Sequence, residues 1–135
     1  MDEIDYKILE ILRENARTTN EDVAKIVNLT EGSVRNRIKR LVLIGVIKRF
    51  TIITEPTQPE AIVLIKTQAK GSKEILKRIR RYTNRLFETA GEYDVAGFIS
   101  AESIEKINMT IDKLRGVEGV ISTATLLKIA DEQVR

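Results

Sequence analysis

At 135 residues the chain can hold one compact domain or two very small ones, and with 42% hydrophobic and 32% charged residues it has enough apolar side chains to fold. It has no cysteine, which excludes a disulfide framework and thiolate chemistry, and a net charge of +3 is too mild to announce a nucleic-acid partner by itself. The longest apolar run, 41–47, contains Gly45 and is far too short to span a bilayer, and the acidic, amphipathic start MDEIDYKILEIL is unlike a secretory signal. No membrane association and a cytoplasmic location are therefore expected.

In chain order, Ile4, Ile8, Ile11 and Leu12 recur at helical spacing to about Glu14, and TTNEDVAKIV supplies a second short helix with Thr19 or Asn20 as its N-cap. Asn28 tolerates the left-handed conformation and breaks that helix; Thr30 can cap a third, which runs to Gly45. A strand-like VIKRFTII follows. The only prolines, Pro56 and Pro59, fall in EPTQPE, which reads as a linker. Beyond it EAIVLIKTQ is a β-branched run, KEILKRIRRYTNRL puts Ile75, Leu76, Ile79 and Leu86 on one helical face, and LFETA and VAGFISA flank the turn GEYD. ESIEKINMTIDKLRG places Ile104, Ile107, Ile111 and Leu114 on one stripe ended by Gly116, and VEGVISTATLLKI is a last strand. The fold class is α+β: a winged helix-turn-helix over 1–54, a linker at 55–60 and a ferredoxin-like βαββαβ domain over 61–135.

Function concentrates in NLTEGSVRNRIKRLVLIGVIKRF, residues 28–50, with six basic side chains against one acid, Glu31. If Val34, Ile38 and Leu41 face inward, Gly32, Ser33, Asn36, Lys39 and Arg40 face outward, flanked by Arg35 and Arg37. In a helix-turn-helix the second helix enters the major groove. Arginine forks onto guanine and asparagine onto adenine, so Arg35 and Asn36 are the candidates for reading sequence; Ser33, Lys39, Arg40, Lys48 and Arg49 are candidates for phosphate contacts. Leu43, near the polar side, suits either contact with the first helix or wing, or burial by a partner chain. The cluster KRIRR, 77–81, reads more readily as a solvated helix face than as a second DNA contact.

The segments IDYKILEILRENAR, LTEGSVRNRIKRLVLIGVIKRFT, TAGEYDVAGFI and GVISTATLLKI together resemble the Lrp/AsnC family, the feast/famine regulators of bacteria and archaea. The resemblance covers almost the whole chain. It implies a regulator that binds double-stranded DNA, with an effector domain whose sheets pair in a homodimer and dimers that assemble further, as in an octamer. It also implies a small amino-acid effector between dimers, near Gly91, Glu92, Tyr93 and Asp94, with Thr123 and Thr125 adding hydroxyls; Met109, opposite the 104/107/111/114 stripe, is placed for a pocket wall or an assembly contact. Backbone amides at a glycine turn suit a carboxylate, and Glu92 or Asp94 an ammonium. Glu92 departs from the family's more usual aspartate, keeping the charge but lengthening its reach.

Beyond that effector no cofactor or metal is expected. An enzyme is disfavoured because histidine and cysteine, the commonest general base and thiol nucleophile, are missing and the acids lack metal-cage spacing. The rival within DNA binding is an effector-independent architectural protein whose second domain only assembles the particle.

Overall fold

The computed structural model describes residues 1–132 and divides the chain into two compact units, Met1–Thr54 and Glu55–Arg135; the last three residues of the expected second domain lie outside the described residues. The first unit holds α1 (Glu3–Glu14), α2 (Asn20–Val27) and α3 (Glu31–Leu43). Each begins where a side chain satisfies an otherwise orphaned amide. Asp2 accepts from the Asp5 amide at 2.9 Å while Asp5 accepts from the Asp2 amide at 3.2 Å, a reciprocal capping box. Thr19 caps α2 and Thr30 caps α3 through the Asp22 and Ser33 amides.

Between them Asn28 adopts φ 57° and the Leu29 amide turns back to the Ala24 carbonyl at 3.0 Å, which makes the tight turn of a helix-turn-helix. Ile8, Leu12, Val23, Ala24 and Val34 close the core, each large aliphatic side chain contributing about 1.5–3 kcal/mol by burial. After Gly45 (φ 80°) the Val46 and Ile47 amides both donate to the Leu41 carbonyl, and the chain then leaves regular structure. The strand expected from VIKRFTII does not form within this chain. A strand needs a ladder partner, and the rest of this unit is helical and offers no extended segment.

The second unit contains β1 (Glu60–Thr67), α4 (Lys73–Arg80), β2 (Arg85–Glu88), β3 (Val95–Ser100), α5 (Ile104–Arg115) and β4 (Val120–Leu127). Its sheet order is β2-β3-β1-β4 with every neighbouring pair antiparallel, the ferredoxin-like arrangement. Ala61, Val63, Ile65 and Thr67 alternate along β1 and are buried, and the aliphatic ones pack with Ile75 and Ile79 of α4 and Ile107, Ile111 and Leu114 of α5. Ile104, assigned to the inner stripe, is half exposed at the first turn of α5.

Helix α4 is shorter than its pattern suggests. It ends at Arg80, and Leu86 lies in β2. Thr83 and Asn84 are weak helix formers, and Asn84 Oδ1 instead accepts from the Ser100 amide at 2.8 Å, which seats the start of β2 against β3. An unexpected 3-10 turn, Gln68–Lys70, holds Ala69 (φ 50°) and Lys70 (φ 41°) in the left-handed region, and the Gly71 that follows it (φ 72°) lies there too. Among the described residues no helix is long and apolar enough to cross a membrane.

Candidate nucleic-acid interface and effector loop

Val34 and Leu41 are fully buried and Ile38 partly so, which fixes the rotation of α3 and leaves Ser33, Asn36, Lys39 and Arg40 exposed. Arg35 is exposed and rests on the Glu31 carboxylate one turn earlier, at 3.0 and 3.2 Å. Such an exposed i,i+4 pair is worth only about 0.3–0.5 kcal/mol, so the guanidinium can exchange it for a base edge at little cost. Among the described residues Asn36 makes no side-chain hydrogen bond within the chain, leaving its amide available for bidentate pairing.

Arg37 has another job. Its Nη1 donates to both Asp2 carboxylate oxygens at 2.8 Å and to Asp5 at 3.0 Å, and Arg40 lies 3.7 Å from Asp5, which is 1% exposed. The Arg37 hydrogen bond holds the Asp2 carboxyl below its ordinary value, and the same contact raises Arg37. The capping box of α1 thus braces α3, a role that reading α3 alone did not reveal. The spacing Asp-x-x-Asp at 2 and 5 was the available signal.

Lys48 and Arg49 are exposed on the irregular segment beyond α3. Leu43 is 86% exposed, so the expected contact with the first helix or wing is not made within this chain.

At the other candidate site Gly91 has φ 138° with no atom near its would-be Cβ, so the backbone and not packing demands glycine. The Thr89 amide donates to the Asp94 carbonyl at 2.9 Å and the Thr89 hydroxyl to the Tyr93 carbonyl at 2.7 Å, closing the loop. Among the described residues the amides of Gly91, Glu92 and Tyr93 donate to no group in the chain. Glu92 is exposed, and the Tyr93 ring lies 5.7 Å from Lys66 Nζ. Asp94 is anchored: its Oδ2 accepts from the Thr67 amide at 2.9 Å and faces the Thr67 hydroxyl at 3.5 Å, while that hydroxyl accepts from the Gly71 amide at 2.7 Å.

Thr123 and Thr125 stand opposite Ile65 and Val63, so both point to the helix-covered face of the sheet. Thr123 accepts from Arg115 Nε at 3.0 Å, and among the described residues the buried Thr125 hydroxyl has no partner. The loop adjoins the opposite edge of β1, through the Asp94 amide on the Ile65 carbonyl, and Met109 is half exposed on the outer side of α5. The four loop residues are together; Thr123, Thr125 and Met109 do not converge on them within one chain.

Comparison with known proteins accords with this architecture. Residues 1–42 match the AsnC-type helix-turn-helix domain. The chain is 44% identical over 127 residues to the HTH-type transcriptional regulator LysM of Sulfurisphaera tokodaii, covering 91% of each sequence. It superposes on the structure of E. coli AsnC with a TM-score of 0.78 at 22% identity, covering all of this chain and 96% of the other. It also superposes on a transcriptional regulator from Neisseria meningitidis solved as an L-Met complex, with a TM-score of 0.79 at 22% identity over 98% and 92% of the two chains. At such identities the structural matches speak for the fold. The relationship to LysM, the matched domain and the geometry of α3 together establish that the chain belongs to the Lrp/AsnC family, DNA-binding transcriptional regulators and not enzymes.

Proposed function

We propose that this regulator binds a small amino acid at the Gly91–Asp94 loop, between dimers, and that the ligand alters its binding to specific double-stranded sites. The observation that carries the proposal is the run of unengaged amides at 91–93 beside two carboxylates, Glu92 and Asp94. Amides suit the ligand carboxylate and an acid suits its ammonium. The L-Met complex of the Neisseria meningitidis regulator supports a ligand of this class. No further cofactor enters the proposal.

Because the two threonines and Met109 do not converge on the loop within one chain, their part in the pocket requires a second copy. The open face of the sheet supplies a surface for one: Ile62, Leu64, Phe98 and Leu126 lie on it with Phe87, its two phenylalanine rings 6.0 Å apart. Pairing of that face gives a dimer, and dimers joined around the loop give a larger ring such as an octamer. A dimer reads a pseudo-palindrome with half-sites about one helical turn, ~10 bp, apart or a multiple of it. The site of action is the chromosome, in the cytoplasm.

Titration calorimetry with each proteinogenic amino acid tests the ligand. Wild type is expected to bind one of them or a close relative, and Asp94→Ala to lose it while keeping DNA affinity. Since Asp94 also anchors Thr67, Glu92→Gln serves as the milder variant and should weaken binding without disturbing the loop. Linkage requires that DNA change ligand affinity by the factor by which ligand changes DNA affinity. Absence of binding to wild type, or equal binding to wild type and both variants, favours the architectural reading instead.

A further inference from the structure

We propose that α4 and its flanks form a second phosphate-contacting surface, which engages duplex DNA outside the segment read by α3. The inference rests on DNA binding by the protein and adds a place on the second unit that touches the same polyanion.

The charge of that unit is strongly segregated. Residues 70–85 carry seven cations and one acid, Glu74, whereas the remainder of 55–135 carries six cations and eleven acids, a net of +6 against −5. Burial of Ile75 and Ile79 sets the rotation of α4, so Lys73, Lys77, Arg80 and the adjoining Arg81 all emerge on its solvent side and are exposed. Among the described residues none of these four has an ion-pair partner; Arg78, at the flank, is the one that turns aside, to Glu74 at 3.9 Å and the Glu118 carbonyl at 3.5 Å. Like charges at i,i+4 spacing destabilise a helix, so a face of this kind gains when a polyanion lies on it. From Lys73 to Arg81 the helix rises about 12 Å, the length of three or four successive phosphates along one strand.

A second copy of the chain is the competing occupant, and four of the acids it would offer are already paired. Glu102 is paired with Lys106, Asp112 with Arg115, and Glu60 and Asp131 with Lys128. Those four are neutralised locally, whereas DNA presents an unbroken row of phosphates.

The test compares full-length wild type with Lys77→Gln/Arg80→Gln/Arg81→Gln on mixed-sequence duplexes of about two helical turns, ~20 bp, and about six, ~60 bp. The variant-to-wild-type ratio at each length cancels the number of available sites. On the long duplex the variant is expected to lose about ten- to hundredfold in affinity near physiological salt, with the slope of log K against log salt shallower by about 2 to 3. On the short duplex the two proteins should agree to within about twofold, and Arg80→Lys/Arg81→Lys should bind both lengths like wild type. Equal loss at both lengths, or no loss on the long duplex, overturns the proposal; so does a change in assembly mass without a length effect, which would assign the face to another copy. Failure of wild type to bind either duplex would instead sink the DNA-binding reading beneath it.

Discussion

Helices α3 and α4 both turn an aliphatic stripe inward and a cationic face outward, yet their cations keep different company. On α3, Arg35 rests on Glu31, Arg37 is clamped by Asp2 and Asp5, and Arg40 leans toward Asp5. On α4, Lys73, Lys77, Arg80 and Arg81 have no such partners among the described residues. Counting charges would rank the helices as equals. What separates them is positioning: a guanidinium must arrive at a base edge in a defined orientation, so a helix suited to reading sequence gains from acids that brace it, whereas a phosphate row accepts any cation within reach.

The sharpest way to break this contrast is to remove the brace. Arg37→Ala strips the buried Asp5 of its shortest charged partner and should lower the melting temperature of the first unit. The glutamine variant of α4 should melt at or slightly above wild type, because it relieves like-charge pairs; equal losses in both would show that bracing does not distinguish the helices. Next in size, Arg35→Ala or Asn36→Ala should cost about 1–3 kcal/mol on the preferred site and relax its sequence preference in a binding-site selection. Smaller still, Lys48→Ala or Arg49→Ala should weaken all sequences alike and reduce the salt slope by about 0.9 each. A change of sequence preference in the latter pair, with none in the former, would reverse the docking orientation.

Much of this was legible because it is local. Thr19, Asn28, Thr30 and Gly45 punctuate the helices with residues whose chemistry names their place, and the alternation of strand and helix periods yields βαββαβ directly. What escaped depends on partners that a linear pattern does not display. Residues 46–53 have strand composition but no ladder partner in their own unit. Leu86 satisfied both a helical stripe and a strand, and the hydrogen bond from the Ser100 amide to Asn84, sixteen residues away, sides with the strand. Left-handed Ala69 and Lys70 carry no glycine or asparagine to announce them. The Arg37–Asp2 clamp spans thirty-five positions, so the cation read as flanking the recognition face proved to be its support. At the effector loop the residue types were legible, but not that Asp94 is already committed to Thr67.

The smallest predicted effect extends the comparison to pH. The Asp2 carboxyl is held below its ordinary value, first by its hydrogen bond to Arg37 and then by the Asp5 amide. The folded state therefore takes up that proton less readily than the unfolded chain. The resulting contribution is complete above the unfolded value, near pH 3.9, and is lost as pH falls through the folded one. Lys128 in the second unit behaves oppositely: its hydrogen bond to Glu60, with a smaller one to Asp131, raises it. That contribution is complete below the unfolded value, near pH 10.4, and disappears as pH rises through the folded one. Acid should thus loosen the clamp of the first unit and alkali the β1–β4 corner of the second. The Tm difference between wild type and Asp2→Asn should shrink below about pH 4, and that between wild type and Lys128→Gln should shrink above about pH 10. Asp2 is exposed and Lys128 only partly buried, so each difference will be small at neutral pH, and salt should reduce it further. A Tm difference for Asp2→Asn that stays constant from neutral pH to about pH 3 would mean that Arg37 binds the protonated and ionised carboxyl equally well, and the electrostatic account of the α1–α3 brace would fail.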